Sequence, residues 1–136
     1  MQSKKMILTT EILDELSQKA KASERLRMNL DLRTTPDDQS QRMLNAMEPD
    51  TVLPIHRHTT TSETIVLLRG SIRELFYDDK GNLTESVVLK AGTEPSAMSI
   101  PKGAWHSLEC LEPGTILFEA KDGAYDPLRD KDILRI

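Results

Sequence analysis

The chain has 136 residues, enough for one domain with its own apolar core and short for two. Its 18 Lys and Arg are interspersed with 22 Asp and Glu for a formal net charge of −4, and without a basic stripe to neutralise phosphates the chain is not expected to bind nucleic acid. No window approaches the roughly 20 apolar residues of a spanning helix, "MQSKKMILTTEIL" carries no long apolar region with a small-residue cleavage site, and the single cysteine, Cys110, has no intramolecular partner, so the expectation is a soluble protein of the cytoplasm with no membrane partner.

The first element reads as a helix. Thr10 suits a cap, Glu11 suits the positive first turn, and Ile12, Leu13, Leu16 and Ala20 return at helical spacing. The period then changes. Over Arg25 to Arg33, "RLRMNLDLR", Leu26, Met28, Leu30 and Leu32 alternate with polar residues, as in a half-buried strand. "TTPDDQSQ" is a loop or a short helical start, and Met43 to Met47 either ends that helix or begins a strand. From Val52 onward the pattern is short strands between turns: Val52–His58, Glu63–Arg69, Ile72–Tyr77, Leu83–Leu89, Met98–Ile100, His106–Leu111 and Thr115–Ala120. "DDKGN" is a hairpin loop, with Gly81 and Asn82 able to take positive φ. The fold class is therefore mainly β, an antiparallel sandwich or barrel with a short amino-terminal helix. The tail, "KDGAYDPLRDKDILRI", is turn-rich, with "RDKD" as a solvated charged patch and an apolar end that docks back on the body.

Two of the three histidines lie in "PIHRHTTTSETIVLLRG". On a strand, His56 and His58 share one face about 6–7 Å apart along the backbone, and Arg57 points the other way. Two such imidazoles can converge on one ion. Glu63 opens the next strand and faces the same interior if the two strands form a hairpin. His106 follows the turn made by Pro101 and Gly103 in "IPKGAWHSLEC". Strand parity puts His106, Leu108 and Cys110 on one face, sends Trp105 into packing on the other, and aligns Glu63, Ile65 and Leu67 inward. Thr64, Val66 and Leu68 are also largely apolar, so the outer face of that strand is expected to be covered by the amino-terminal segment, with "RLRMNLDLR" a candidate, or by a second subunit.

These stretches resemble a cupin. The first cupin motif is Gly, five residues, His-x-His, three or four residues, Glu, six residues, Gly; His56, His58, Glu63 and Gly70 fit it, with Asp50 in place of the leading glycine. The second motif is Gly, five residues, Pro-x-Gly, two residues, His, three residues, Asn; Pro101, Gly103 and His106 fit, with Pro95 and Cys110 replacing its first and last residues. The resemblance implies a double-stranded β-helix, a jelly-roll-like barrel. Within a single domain over 1–136 it divides the chain into a helix and strand extension (1–36), the barrel (43–120) and a tail (121–136). It implies the metal ligands His56, His58, Glu63 and His106. More narrowly, "RMNLDLR", "QRMLNAMEPDTVLPIHRH" and "EAKDGAYDP" are similar to the small WbuC-type cupin-fold metalloproteins over Arg27 to Asp132, a family named from bacterial surface-polysaccharide gene clusters.

Three neutral imidazoles and a carboxylate suit one divalent transition ion, Fe, Mn, Ni, Co or Zn, and leave two positions open if the ion is six-coordinate. The implied function is a metal-dependent enzyme acting on a small oxygen-rich molecule, such as a sugar derivative in surface-polysaccharide metabolism, by isomerisation, lyase chemistry or oxygenation. The alternative is a metal- and ligand-binding cupin without turnover. A metal-free epimerase using His and Tyr fits less well, because the four-ligand set is intact. Candidate catalytic residues beyond the metal are Tyr125, Lys121 and Arg42. A homodimer is expected. Since imidazoles bind metal only when neutral, loss of the ion is expected below about pH 6.

Overall fold

The computed structural model describes residues 5–135. Helix α1 (Thr10–Ala22) is capped by Thr9, whose extended backbone lets its side chain accept a hydrogen bond from Ile12 N at 3.3 Å. Thr10 is thus the first helical residue, one place after the expected cap. Two five-stranded antiparallel sheets follow. The first has the order β1 (Arg27–Asp31), β2 (Gln41–Met47), β9 (Thr115–Lys121), β4 (Glu63–Arg69), β7 (Ala97–Ile100). The second has the order β10 (Ile133–Leu134), β3 (Ile55–His56), β8 (Trp105–Cys110), β5 (Ser71–Tyr77), β6 (Leu83–Lys90). The mainly β architecture with one short helix is as expected, and "TTPDDQSQ" is a loop that leads directly into β2.

Met47, Ile65, Leu67, Ile72, Leu89, Ile100, Cys110 and Leu117 form the core. Each belongs to a strand in which neighbouring residues face opposite ways, so one side of β2 and of β4 to β9 feeds this cluster. On the outer side of the first sheet, Leu44, Ala46 and Ile116 pack against Leu16 and Ala20 of α1, with Leu30 and Leu32 at the margin. This corrects the expected cover. The helix shields β2 and β9, while β1 adds itself to the edge of the sheet by pairing with β2, Leu30 opposite Leu44. The outer face of β4 stays partly open, with Leu68 42% exposed. Strand β1 is also shorter than "RLRMNLDLR", because Leu26 sits in the left-handed region at φ 56° and turns the chain out of the helix.

Strand β3 is only Ile55–His56, so His58 lies in the following loop rather than on a strand. The tail returns to pair with it, Ile133 opposite His56. Asp132, read from the sequence as part of a solvated patch, is instead 4% exposed; its carbonyl accepts from Arg57 N at 3.0 Å and its carboxylate lies 3.7 Å from Arg57 Nε. Arg57 does point away from the histidine face, its guanidinium 4.3 Å over the Trp105 ring.

Asp50, at the place of the first motif's leading glycine, takes φ 75°. Gly70 closes the β4–β5 turn at φ +70°, and a Cβ there would lie 2.9 Å from Thr115 Cα and nearer still to its hydroxyl. Gly92 has a similar φ, +74°, with open space around it. Alanine at either site meets a left-handed cost of about 1–2 kcal/mol. Gly70→Ala adds a clash costing another ~1–3 kcal/mol, so urea denaturation should find it clearly the less stable of the two variants. Equal losses would show that Thr115 yields freely.

Candidate metal centre

Strand pairing places His56 directly opposite His106 on β8. The loop after β3 brings His58 beside them, and its carbonyl accepts a hydrogen bond from Gly103 N at 2.8 Å, joining the two histidine-bearing turns. One nitrogen of each imidazole lies within 4.8 Å of the others. His56 Nδ1 is 3.0 Å from Pro54 O; a carbonyl only accepts, so Nδ1 carries the proton and Nε2 keeps its lone pair. His106 Nδ1 is 2.8 Å from Glu74 Oε1, and its Nε2 faces Glu63.

Glu63, at the start of β4, stands beside this trio. Its oxygens are 3.6 Å from His58 Nε2 and 3.7 Å from His106 Nε2, and its buried Oε2 has no hydrogen-bond partner. The loop that delivers it is tied by Asp122, which accepts from Ser62 N at 2.8 Å and from Ser62 Oγ at 3.1 Å. The structure therefore brings together all four residues of the implied ligand set. Three imidazole nitrogens gathered at one point, next to an unsatisfied buried carboxyl oxygen, are a donor set that fits a divalent cation.

The other candidates separate. Lys121 enters the same site, its Nζ 3.9 Å from Glu63 and 3.6 Å from Glu119, with the side chain only 11% exposed. Tyr125 is exposed at the cavity mouth, with the Arg33 guanidinium 5.6 Å from its ring centre. Arg42 does not reach the site. It follows Gln41 and precedes Met43, both of which line the cavity, so parity turns it outward, where it pairs with Asp38 at 2.6 Å. Cys110 is buried in the core, its thiol donating to Glu112 O at 3.2 Å, and burial pushes its pKa up. Trp105 packs on the opposite face and donates to Asp79 at 2.9 Å.

Two further acidic residues, Glu74 and Glu119, belong to the site and are not among the sequence candidates. Glu74 is 1% exposed, in "SIRELFY", and Glu119 sits two places before Lys121. Both were findable by parity, since Glu74 alternates with the inward Ile72 and Phe76, and Glu119 with Leu117. The site opens into a cavity of about 660 Å³, walled by the histidines on one side and by Met43, Asn45 and Arg27 of β2 and β1 on the other.

A family model described as Domain of unknown function (DUF6016) matches residues 8–89, and the chain belongs to that family. No curated protein matches the sequence. Among solved structures, KdgF from Halomonas sp. is similar with a TM-score of 0.59 at 16% identity, over 74% of this chain and 82% of that one. Oxalate decarboxylase from Bacillus subtilis, a protein with Mn(II) centres, is similar with a TM-score of 0.57 at 19% identity, over 81% of this chain; the match spans only 28% of the decarboxylase. An oxalate oxidase in complex with the substrate analogue glycolate gives 0.60 at 14% identity, over 79% of this chain and 56% of the oxidase. The fold is that of the cupins.

Burial sets the protonation of the site. It lowers His56 and His106 to about 4 and His58 to about 3, with the neighbouring imidazoles or Lys121 adding to the effect at His56 and His58. It raises Glu63 and Glu74 to about 8, aided by the charge of Glu119. Near neutrality without a cation, the carboxyls are protonated; Glu74 then donates to His106 Nδ1 and the ring hydrogen sits on Nε2, so uptake of an ion requires the other tautomer, in which Nδ1 donates to an ionised Glu74. Between about pH 4.5 and 8 the folded chain holds two protons that the unfolded chain releases, so these groups lose stability as pH rises. The imidazoles act in the opposite sense, but only below about 6.5. Chelator-treated protein should therefore melt at a lower temperature at pH 8 than at pH 6.5, and Glu63→Gln with Glu74→Gln should flatten that difference. A thermal melt with the reverse slope in both proteins would contradict the burial argument.

Proposed function

We propose that this member of the DUF6016 family is a metal-dependent cupin enzyme that holds one divalent transition ion through His56, His58, Glu63 and His106. The observation that carries the reading is the convergence of three imidazole nitrogens beside the unpartnered Glu63 oxygen at the wall of a large cavity. The cupin neighbour with Mn(II) centres supports it at the level of the fold. When bound, such an ion would supply Lewis-acid polarisation of a carbonyl or carboxylate, or redox chemistry if it is iron or manganese.

The chain's own residues prepare the site in three ways. Glu74 holds the His106 ring through Nδ1, fixing its plane and leaving Nε2 for the centre. Pro54 O does the same for His56. Lys121 Nζ and Glu119 Oε2 face the cavity beside Glu63 and can hold or pass a proton to a ligand there. These acid–base groups support turnover over passive binding, because a site built only to bind needs no such pair. Tyr125, at the mouth, is placed to touch a bound molecule rather than the centre.

The substrate class in this reading is a small oxygen-rich molecule. Neighbours that act on oxalate or hold glycolate support a chelating acid, and the WbuC-type resemblance supports a sugar derivative. The reading extends to a cytoplasmic homodimer: the open face of β4, with Leu68 exposed, gives apolar surface to a second subunit, and among the described residues no helix is long and apolar enough to cross a membrane.

Elemental analysis of protein purified without an affinity tag or added metal tests the centre directly. Wild type should carry close to one ion per chain, and His56→Ala or His106→Ala should fall well below that. Equal metal in wild type and variants sinks the assignment. The pH at which the ion is lost also shifts from the sequence expectation. Buried imidazoles no longer titrate near 6, and Glu63 and Glu74, both raised to about 8, become the groups that must give up protons, Glu63 to ligate and Glu74 to accept from His106 Nδ1. Chelator competition should therefore show affinity already falling below about pH 8, by about tenfold per pH unit for each displaced proton. An affinity flat from pH 8 to 6.5 would remove Glu63 from the ligand set.

A further inference from the structure

The chain has nine arginines. Seven pair with a carboxylate: Arg33 with Asp31, Arg42 with Asp38, Arg57 with Asp132, Arg69 with Asp14, Arg73 with Glu109, Arg129 with Asp126 and Arg135 with Asp130. The other two, Arg25 and Arg27, have no such partner among the described residues, and both line the cavity. We infer that this pair is a subsite for the anionic end-group of the ligand, a carboxylate or phosphate carried by a small polyhydroxylated molecule.

The fold places the pair deliberately with respect to the cavity. Arg27 is opposite Met47 and Asn29 opposite Asn45, so Arg27 and Asn29 share the inner face of β1 with those cavity-lining residues. Arg27 Nη1 donates to Val52 O at 3.1 Å, which fixes the guanidinium and leaves its remaining N–H groups for a ligand. Arg25 follows the α1 cap, its N–H donating to Ser23 Oγ at 3.2 Å. Burial makes the Arg27 cation less favourable, and the like charge of Arg25 adds to that effect. An anion lying between two guanidiniums removes that repulsion and accepts charge-assisted hydrogen bonds from both. Of the acidic groups that line the cavity, Glu63 and Glu74 stand beside His106, Glu119 pairs with Lys121, and Asp126 pairs with Arg129, so none of them neutralises Arg25 or Arg27. These two guanidiniums thus stand apart from the histidine end, where Lys121 is already matched by Glu63 and Glu119, and a ligand with one anionic end and several hydroxyls is oriented by them. Asn29 and Asn45 supply neutral donors and acceptors for those hydroxyls.

This assignment rests on the reading of the cavity as the ligand pocket, but not on the identity of the ion. Calorimetric titration of the full chain with glucose, glucuronate and glucose 6-phosphate tests it. At least one acid should bind about tenfold or more tightly than glucose, and the better of the two tells carboxylate from phosphate. Arg25→Glu, an exposed change that breaks no ion pair, and the double variant Arg25→Ala with Arg27→Ala should abolish that preference while leaving metal content at the wild-type value. His106→Ala should do the converse, losing metal and keeping the preference. Equal affinity for the three sugars, no binding of either acid at millimolar concentration, or a preference that survives Arg25→Glu overturns the subsite. A preserved preference in a wild-type protein without metal would sink the metal centre alone.

Discussion

The hydrogen bond between His106 and Glu74 joins two buried ionisable groups from adjacent strands, and the centre is arranged around it. Burying an imidazole or a carboxyl costs several kcal/mol unless each finds a partner. Here β8 and β5 supply that partner across the sheet, 2.8 Å apart, with both residues nearly inaccessible to water. The pair sets the ring plane of His106, which in turn sets where Nε2 meets Glu63 and His56. Glu74 Oε2 remains without a partner, as does Glu63 Oε2. Two unsatisfied carboxyl oxygens in one small region carry a stability cost that a bound cation or ligand would relieve.

Everything else in the second sheet holds this arrangement in place. The His56 strand is two residues long and would fray alone, but it lies between β8 and β10. Arg57 clamps the tail through Asp132 and covers Trp105. On the opposite sheet, the helix and β1 add a wall beyond the strands that carry the histidines. That wall brings Arg27 and Asn29 to the cavity, so the extension that looks like an appendage in sequence is where the pocket gains its breadth.

Parity made much of this legible. One rule, alternate residues on alternate faces, puts His106 and Cys110 together, turns Trp105 away and aligns Glu63 with Ile65. The spacing of the glycines and histidines carried the cupin resemblance, and Asp50 does adopt the left-handed backbone of the glycine it replaces. What stayed hidden had physical causes. Over "QRMLNAM" neither face is solvent-exposed, since Leu44 and Ala46 sit under the helix and Met43 and Asn45 face the cavity. A strand buried on both sides has no polar period to read. Arg42 seemed able to reach a ligand because the sequence does not show its face; Asp132 seemed solvated because its charged neighbours mask one buried position. Glu74 and Glu119 obeyed parity but were lost among many surface glutamates.

The docking of β10 against β3 also orders events in time. Of the two neighbours of the His56 strand, one comes from residues 105–110 and the other from residues 133–134. Both lie far from His56 in sequence, and such non-local contacts are slow to form. His56 meets His106 through β8, and β10 then covers the other edge of the short His56 strand. The three imidazoles therefore depend for their gathering on pairings that span half of the sequence rather than on any local segment.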